Sequence, residues 1–189
     1  MARWLITGCS TGFGREIAYA ALQDGHNVVV TARRAEAVQD FVEEFGERAV
    51  AVALDVTDAG QIAAAVAAAQ QAFGGIDVLV NNAGHGYLSA VEEGEDAEVR
   101  KLFDVNYFGS VDMIKAVLPS MRARGSGHIV NISSMTGLVA NPPNAYYSST
   151  KFALEAVTEA LATEVRPLEG GSWCAMTSTA ARSSRLMSI

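Results

Sequence analysis

Five short apolar runs recur along the chain: RWLIT (3–7), NVVVTA (27–32), AVAVALDV (49–56), IDVLVN (76–81) and HIVNIS (128–133). They are rich in Val, Ile and Leu and show little polar alternation, the pattern of strands covered on both faces. Between them apolar residues return at helical spacing, as with Ile17, Ala21 and Leu22, or Ile62, Val66, Ala69 and Phe73. Strand and helix in steady alternation predict a three-layer α/β fold, a doubly wound parallel sheet with helices on both faces. Asp58 is placed to cap the helix after the third strand, and Gly74-Gly75 to stop it.

The pattern ends near residue 168. All 21 acidic residues stand at or before Glu169, and the last stretch, GGSWCAMTSTAARSSRLMSI, follows neither period. The reading is therefore one domain over 1–168 and an irregular tail over 169–189.

Composition narrows the function. At 189 residues the chain can bury one sizeable core, and 50% hydrophobic with 19% charged residues describes a folded domain. A formal net charge of −7 argues against a nucleic-acid backbone or an anionic membrane as the main partner. No apolar run reaches the roughly 18 residues of a membrane span, and MARWLITG enters strand-like sequence without a leader pattern, so a cytoplasmic location is expected. Cys9 and Cys174 make no disulfide framework, and His26, His85 and His128 lack metal-ligand spacing.

The first strand runs directly into TGCSTGFGREIA, with glycines at 8, 12 and 14. Such a strand-to-helix turn lets backbone amides approach a pyrophosphate and aims a helix N-terminus at its charge, which points to a dinucleotide. A carboxylate at the end of the second strand would bond the adenosine ribose, whereas a guanidinium suits a 2′-phosphate. Here VVVTARR places Ala32, then Arg33 and Arg34. NADP is favoured over NAD.

A second candidate is NAYYSSTK (144–151). Tyr147 and Lys151 are four apart and share a helix face, while Tyr146 is rotated by about 100° and is read as packing. A free phenol, with a pKa near 10, is a poor acid or base at neutral pH, and a neighbouring ammonium favours its phenolate. Tyr87, in HGYLSAVEEG, either lines a pocket or caps its loop.

Taken together, TGCSTGFG (7–14), NNAG (81–84), Asn106, Ser134 and Tyr147 through Lys151 resemble the classical short-chain dehydrogenase/reductase family over about residues 3–168. The resemblance implies a Rossmann-type fold and hydride transfer between NAD(P) and a small-molecule carbonyl or alcohol. It assigns the cofactor phosphates to Gly8, Ser10, Thr11, Gly12, Phe13 and Gly14, the 2′-phosphate region to Arg33, and adenine to Asp55 and Val56. Asn82, Ala83 and Gly84 would line the adenosine ribose and the path toward nicotinamide. Ser134, 13 residues before Tyr147, would hold the substrate oxygen beside the Tyr147 proton. Lys151 would also bond the nicotinamide ribose, so that Tyr147 and Lys151 serve both catalysis and cofactor binding. Asn106 matches a fourth catalytic position that maintains a water and proton path to the lysine. Members often form homodimers or homotetramers through the helices carrying Asn106 and Tyr147, and Phe152, Leu154, Val157 and Leu161 are available for that or for the core.

The resemblance stops after LATEVRPL. The family continues into a sixth strand, a Pro-Gly turn and a seventh strand, whereas this sequence turns into EGGSWCAMTSTAARSSRLMSI. Strands six and seven are therefore expected to be missing, through a shifted frame, an early stop or a natural variant, leaving strand five as an exposed edge. The leading function is an NADP-preferring oxidoreductase impaired by its tail; the alternative is a catalytically inactive dinucleotide-binding or interaction protein.

Overall fold

Six parallel strands, β1 (Arg3–Ile6), β2 (Asn27–Ala32), β3 (Ala49–Ala53), β4 (Val78–Asn81), β5 (Gly127–Asn131) and β6 (Trp173–Thr177), form one sheet in the order β3-β2-β1-β4-β5-β6. The computed structural model describes residues 1–165 and 173–177. Among the described residues six α-helices flank the sheet: α1 (Gly12–Gln23), α2 (Gln39–Phe45), α3 (Ala59–Phe73), α4 (Asp96–Phe103), α5 (Gly109–Arg124) and α6 (Ala145–Glu164).

Strand register explains why the apolar runs do not alternate. Leu5 pairs beside Val29 and Leu79, and Leu79 beside Ile129, making a row that packs under Ile62, Met113, Val117 and Leu161 from α3, α5 and α6. Ile6, Val30 and Val80 form the next row, which points to the opposite face and meets Ala18, Leu22 and Phe41 from α1 and α2. Both faces are dry, so both parities of each strand must be apolar.

The third strand is shorter than its apolar run. Pairing ends at Ala53, apart from one bond from the Leu54 N–H to the Ala32 carbonyl. The chain then turns at Asp55, whose carboxylate accepts the Thr57 N–H at 3.0 Å. Asp58 caps α3 as expected, its Oδ1 accepting the Gly60 and Gln61 N–H groups at 2.8 and 3.0 Å, and Gly74 closes that helix in the left-handed region at φ +76°.

One expectation is corrected. A sixth strand is present: Trp173–Thr177 runs parallel to β5 in the register Gly127↔Trp173 through Asn131↔Thr177. Residues 173–177, expected to be irregular, thus form a strand, and β5 has its backbone groups paired on both sides. WCAMT lacks the Val/Ile richness of the other runs, so composition was silent. Pairing in a parallel ladder needs only backbone amides and carbonyls, and WCAMT has no proline to remove one. A seventh strand and the remainder of the tail lie outside the described residues.

Candidate active site

Strand order reverses between β1 and β4, and in open parallel sheets ligands sit at the carboxyl ends of the strands beside such a reversal. The turns after β1, β4 and β5 converge there.

The first turn is built around Thr7. Its Oγ1 accepts the backbone N–H groups of Asn82 and Ala83, both at 2.9 Å, so the β1 and β4 turns are locked together. Asn82 completes the lock, its Nδ2 donating to the carbonyls of Thr7 and Gly8 at 2.9 and 3.0 Å. A Cβ at Gly8 would approach the Ala83 Cα to 3.0 Å, and Gly8 also has φ +72°. A methyl group at Gly14 would overlap the Asn82 amide and the Gly8 carbonyl oxygen. Gly14→Ala is therefore expected to lower stability by about 1–3 kcal/mol, measured by urea unfolding; an unchanged midpoint would mean that the two turns are not held together as described.

What this brace leaves open is the N-terminus of α1. Ser10, Thr11, Gly12 and Phe13 are exposed, Thr11 makes no side-chain cap, and the first turn holds no acidic residue. Nothing lies within 4 Å of a Cβ built on Gly12. An uncapped N-terminus with an open glycine turn fits a phosphate group. Cys9 sits beneath, fully buried, and desolvation pushes its thiol up to about 12, so it is inert packing.

Arg33 is exposed just beyond β2. Asp55, at the neighbouring strand end, is held below the usual carboxylate range by the Thr57 backbone N–H and hydroxyl, with the Arg33 charge adding to the effect. Val56 is buried against Gly109, where a Cβ would approach the Val56 Cγ2 to 2.6 Å, so its side chain serves packing.

Asn106 lies in a π-turn (Asp104–Phe108) inserted between α4 and α5, and it is only 1% exposed. Its Oδ1 accepts the His85 N–H at 2.9 Å and its Nδ2 donates to the His85 carbonyl at 2.8 Å, with a longer contact of 3.3 Å to the Thr150 hydroxyl. One side chain thereby joins the β4 turn to α6. Gly84 leaves it room, since a Cβ there would meet the Asn106 Oδ1 at 3.1 Å. Wide turns of this kind often mark functional positions.

Ser134 begins a short 3-10 turn (Met135–Gly137), and its Oγ accepts the Thr136 N–H at 3.2 Å and the Thr136 hydroxyl at 3.0 Å. Lys151 is 5% exposed, and its Nζ donates to the Ile132 carbonyl at 2.8 Å. The same Nζ lies 5.7 Å from the centre of the half-buried Tyr147 ring. Burial lowers the Lys151 ammonium to about 8, with Glu155 one turn along opposing the fall. Tyr146 faces elsewhere: its hydroxyl donates to the Val91 carbonyl at 2.6 Å and its ring packs against Gly94 and Tyr87. The Tyr87 hydroxyl accepts the Glu95 N–H at 3.0 Å, next to the start of α4, which favours the loop-capping alternative. Of the apolar residues on α6, Leu154 and Leu161 are core, whereas Phe152 is exposed.

Several supporting residues carried only weak signals in the sequence. Gly137 allows the 3-10 turn to rest on α6, since a Cβ there would meet the Lys151 Cβ at 3.2 Å. Asn81 and Asn131 close two apolar strands in the same register; the Asn81 Nδ2 donates to the Asn131 Oδ1 at 2.8 Å, and the Asn131 Nδ2 to the Thr158 hydroxyl at 2.8 Å. This buried chain fixes α6 over the ends of β4 and β5.

The short-chain dehydrogenase family model matches residues 3–169. The chain belongs to the short-chain dehydrogenase family. It is 43% identical over 163 residues to the oxidoreductase BOA17 of Botryotinia fuckeliana, covering 86% of this chain and 60% of that one. Among solved structures it resembles a short-chain dehydrogenase from Streptomyces avermitilis, with a TM-score of 0.86 at 47% identity over 90% of this chain and 63% of that one. It also resembles ElxO with NADP bound, with a TM-score of 0.83 at 32% identity over 89% and 70% of the two chains. The chain spans about three-fifths of the length of the curated relatives it matches. Among its described residues no helix is long and apolar enough to cross a membrane.

Proposed function

We propose that this short-chain dehydrogenase is an NADP(H)-preferring oxidoreductase acting on a carbonyl or alcohol, with Tyr147 as the acid/base. The observation that carries this reading is the buried Lys151 ammonium, anchored to the Ile132 carbonyl and placed beside the Tyr147 ring. When bound, NADP(H) supplies or accepts the hydride. In the direction of reduction, the Tyr147 hydroxyl gives its proton to the substrate oxygen, and Lys151 stabilises the phenolate that remains. The Ser134 hydroxyl holds that oxygen in place, and Asn106, through His85 and Thr150, sets the distance between the β4 turn and α6. The open turn from Gly8 to Gly14 receives the pyrophosphate on backbone amides, while Asp55, Asn82, Ala83 and Gly84 frame the adenosine side.

Ala32 offers no carboxylate to the ribose, and Arg33 stands exposed at the same strand end, which supports the 2′-phosphate assignment. ElxO, a relative at 32% identity, has NADP bound. Arg33→Ala is expected to weaken NADPH by about 10- to 100-fold, the loss of a charge-assisted bond of roughly 1.5–3 kcal/mol, and to leave NADH unchanged. Calorimetric titration of both nucleotides checks this; equal losses for the two would remove Arg33 from 2′-phosphate recognition.

The reading as a whole is tested by following nicotinamide absorbance across a panel of neutral aldehydes and ketones with NADPH. Turnover supports it. Tight NADPH binding without turnover of any member would favour an inactive dinucleotide-binding protein, and failure to bind either nucleotide would remove both readings.

A further inference from the structure

Two loops frame the first turn of α6: the one after β4 carries no charge up to Val91, where Glu92, Glu93 and Glu95 follow, and the one after β5 carries none. Residues 78–91 and 125–150 contain no Asp, Glu, Lys or Arg in a chain that is 19% charged. Their apolar side chains also face outward: Leu88 and Val91 on the first loop, and Met135, Leu138 and Val139 on the second, are each more than half exposed. Single exposed hydrophobics are ordinary, but a cluster on two adjoining loops marks a binding surface.

The loops are joined. The Ser89 N–H donates to the Pro143 carbonyl at 3.0 Å, and the Tyr146 hydroxyl reaches the Val91 carbonyl at 2.6 Å. Between them lies a cavity of about 370 Å³ lined by Ala90, Val91, Ala140, Pro142, Pro143 and Ala145, with Ser89 and Asn141 as its polar, uncharged members. Ala145 is the first residue of α6, two before Tyr147.

We propose that this cavity receives the hydrocarbon part of an uncharged, lipophilic carbonyl or alcohol substrate. The inference rests on the hydride-transfer reading above and extends it to a substrate class. The volume falls in the small-molecule range of about 300–1,000 Å³. With no cation on either wall, a carboxylate or phosphate on the substrate would be desolvated without a partner. Two prolines and two cross-loop hydrogen bonds fix the walls relative to each other before any ligand arrives, so little ordering opposes binding. The occupant is a small molecule because the apolar surface is concave and reaches Ala145, two residues before Tyr147.

The test is a series of methyl ketones from butanone to decanone, reduced with NADPH by the parent protein and by Val91→Asp and Ala140→Asp. Both positions are exposed, so the substitutions leave the core untouched. In the parent, kcat/KM is expected to rise by up to about fourfold per added methylene until the cavity is full, the transfer value of a buried CH₂. In both variants the rise flattens. A flat series in the parent, a rise unaffected by both variants, or a keto acid preferred to the neutral ketone of equal length would each overturn the proposal. If no ketone is turned over, the hydride-transfer reading fails separately, and the cavity is judged by displacement of Nile red with decanol. Displacement that weakens at least tenfold in the variants supports it. No displacement overturns it, as does conversion of a dimer to monomers by the two variants with Nile red excluded, which would make the loops a contact between copies.

Discussion

Tyr147→Phe is expected to lower carbonyl reduction by about 10²- to 10⁴-fold while NADPH still binds, the usual contribution of one positioned acid/base group. Phenylalanine keeps the half-buried ring and its place beside Lys151, so the fold should not change, and only the hydroxyl that exchanges a proton with the substrate is removed. Tyr146→Phe is the matched control. It removes the hydrogen bond to the Val91 carbonyl and nothing from the proposed proton path, so it should reduce stability by about 1 kcal/mol and leave the chemical step intact. Single-turnover absorbance measurements on both variants check the pair. If Tyr146→Phe were the more damaged in the chemical step, the acid/base assignment would have to move to the other tyrosine.

Lys151→Met is expected to abolish efficient turnover and, at neutral pH, to stabilise the protein. The native lysine is buried, and burial brings its ammonium from 10.5 down to about 8. Below pH 8 the lysine is charged in both states, and the folded protein carries the full penalty of holding that charge, on the order of 3 kcal/mol. Between about 8 and 10.5 the folded protein has released the proton while the unfolded chain keeps it, so the native protein gains stability as pH rises through this window. Methionine avoids the penalty at every pH. It also leaves the Ile132 carbonyl without its 2.8 Å partner, at a cost of about 1 kcal/mol. The larger effect decides, and the variant should exceed the parent by about 1–2 kcal/mol at pH 7, an advantage that disappears by about pH 10.5. Urea unfolding at several pH values measures this. A variant less stable at pH 7, by an amount independent of pH, would show that the buried ammonium is not held at a cost. The same trade between stability and activity is common where a charged group is kept in a dry site for chemistry.

The parts of the site that were readable before folding share one property. Gly8, Gly12 and Gly14, the Tyr147–Lys151 pair and the Asp58 cap are all local patterns, with their partners within a turn or two of chain. Other roles depended on distant partners. Asn82 was assigned to the adenosine ribose, yet its amide is engaged by the Thr7 and Gly8 carbonyls, about 75 residues away in sequence. Asn106 was assigned through its motif, but its grip on the His85 backbone follows from a π-turn that widens the helix at that point. No periodicity reveals the π-turn, because its five residues are too few to set a period of their own between α4 and α5.

What the sequence by itself determined is the layered α/β architecture and five of the six described strands, and it singled out the glycine turn and the Tyr147–Lys151 pair proposed for the site. Each of these is local to its own stretch of chain: unbroken apolar runs mark strands covered on both faces, a helix repeats every 3.6 residues, and a glycine turn is read from its own residues. The tertiary structure alone decided that WCAMT pairs beside β5, that Thr7 and Asn82 lock two turns together, and that Lys151 is held dry against the Ile132 carbonyl. Backbone pairing and burial are set by the groups that folding brings near a residue. A parallel strand can be recruited with little help from its own composition, and a lysine shows its environment only when the helix and strand that enclose it have met.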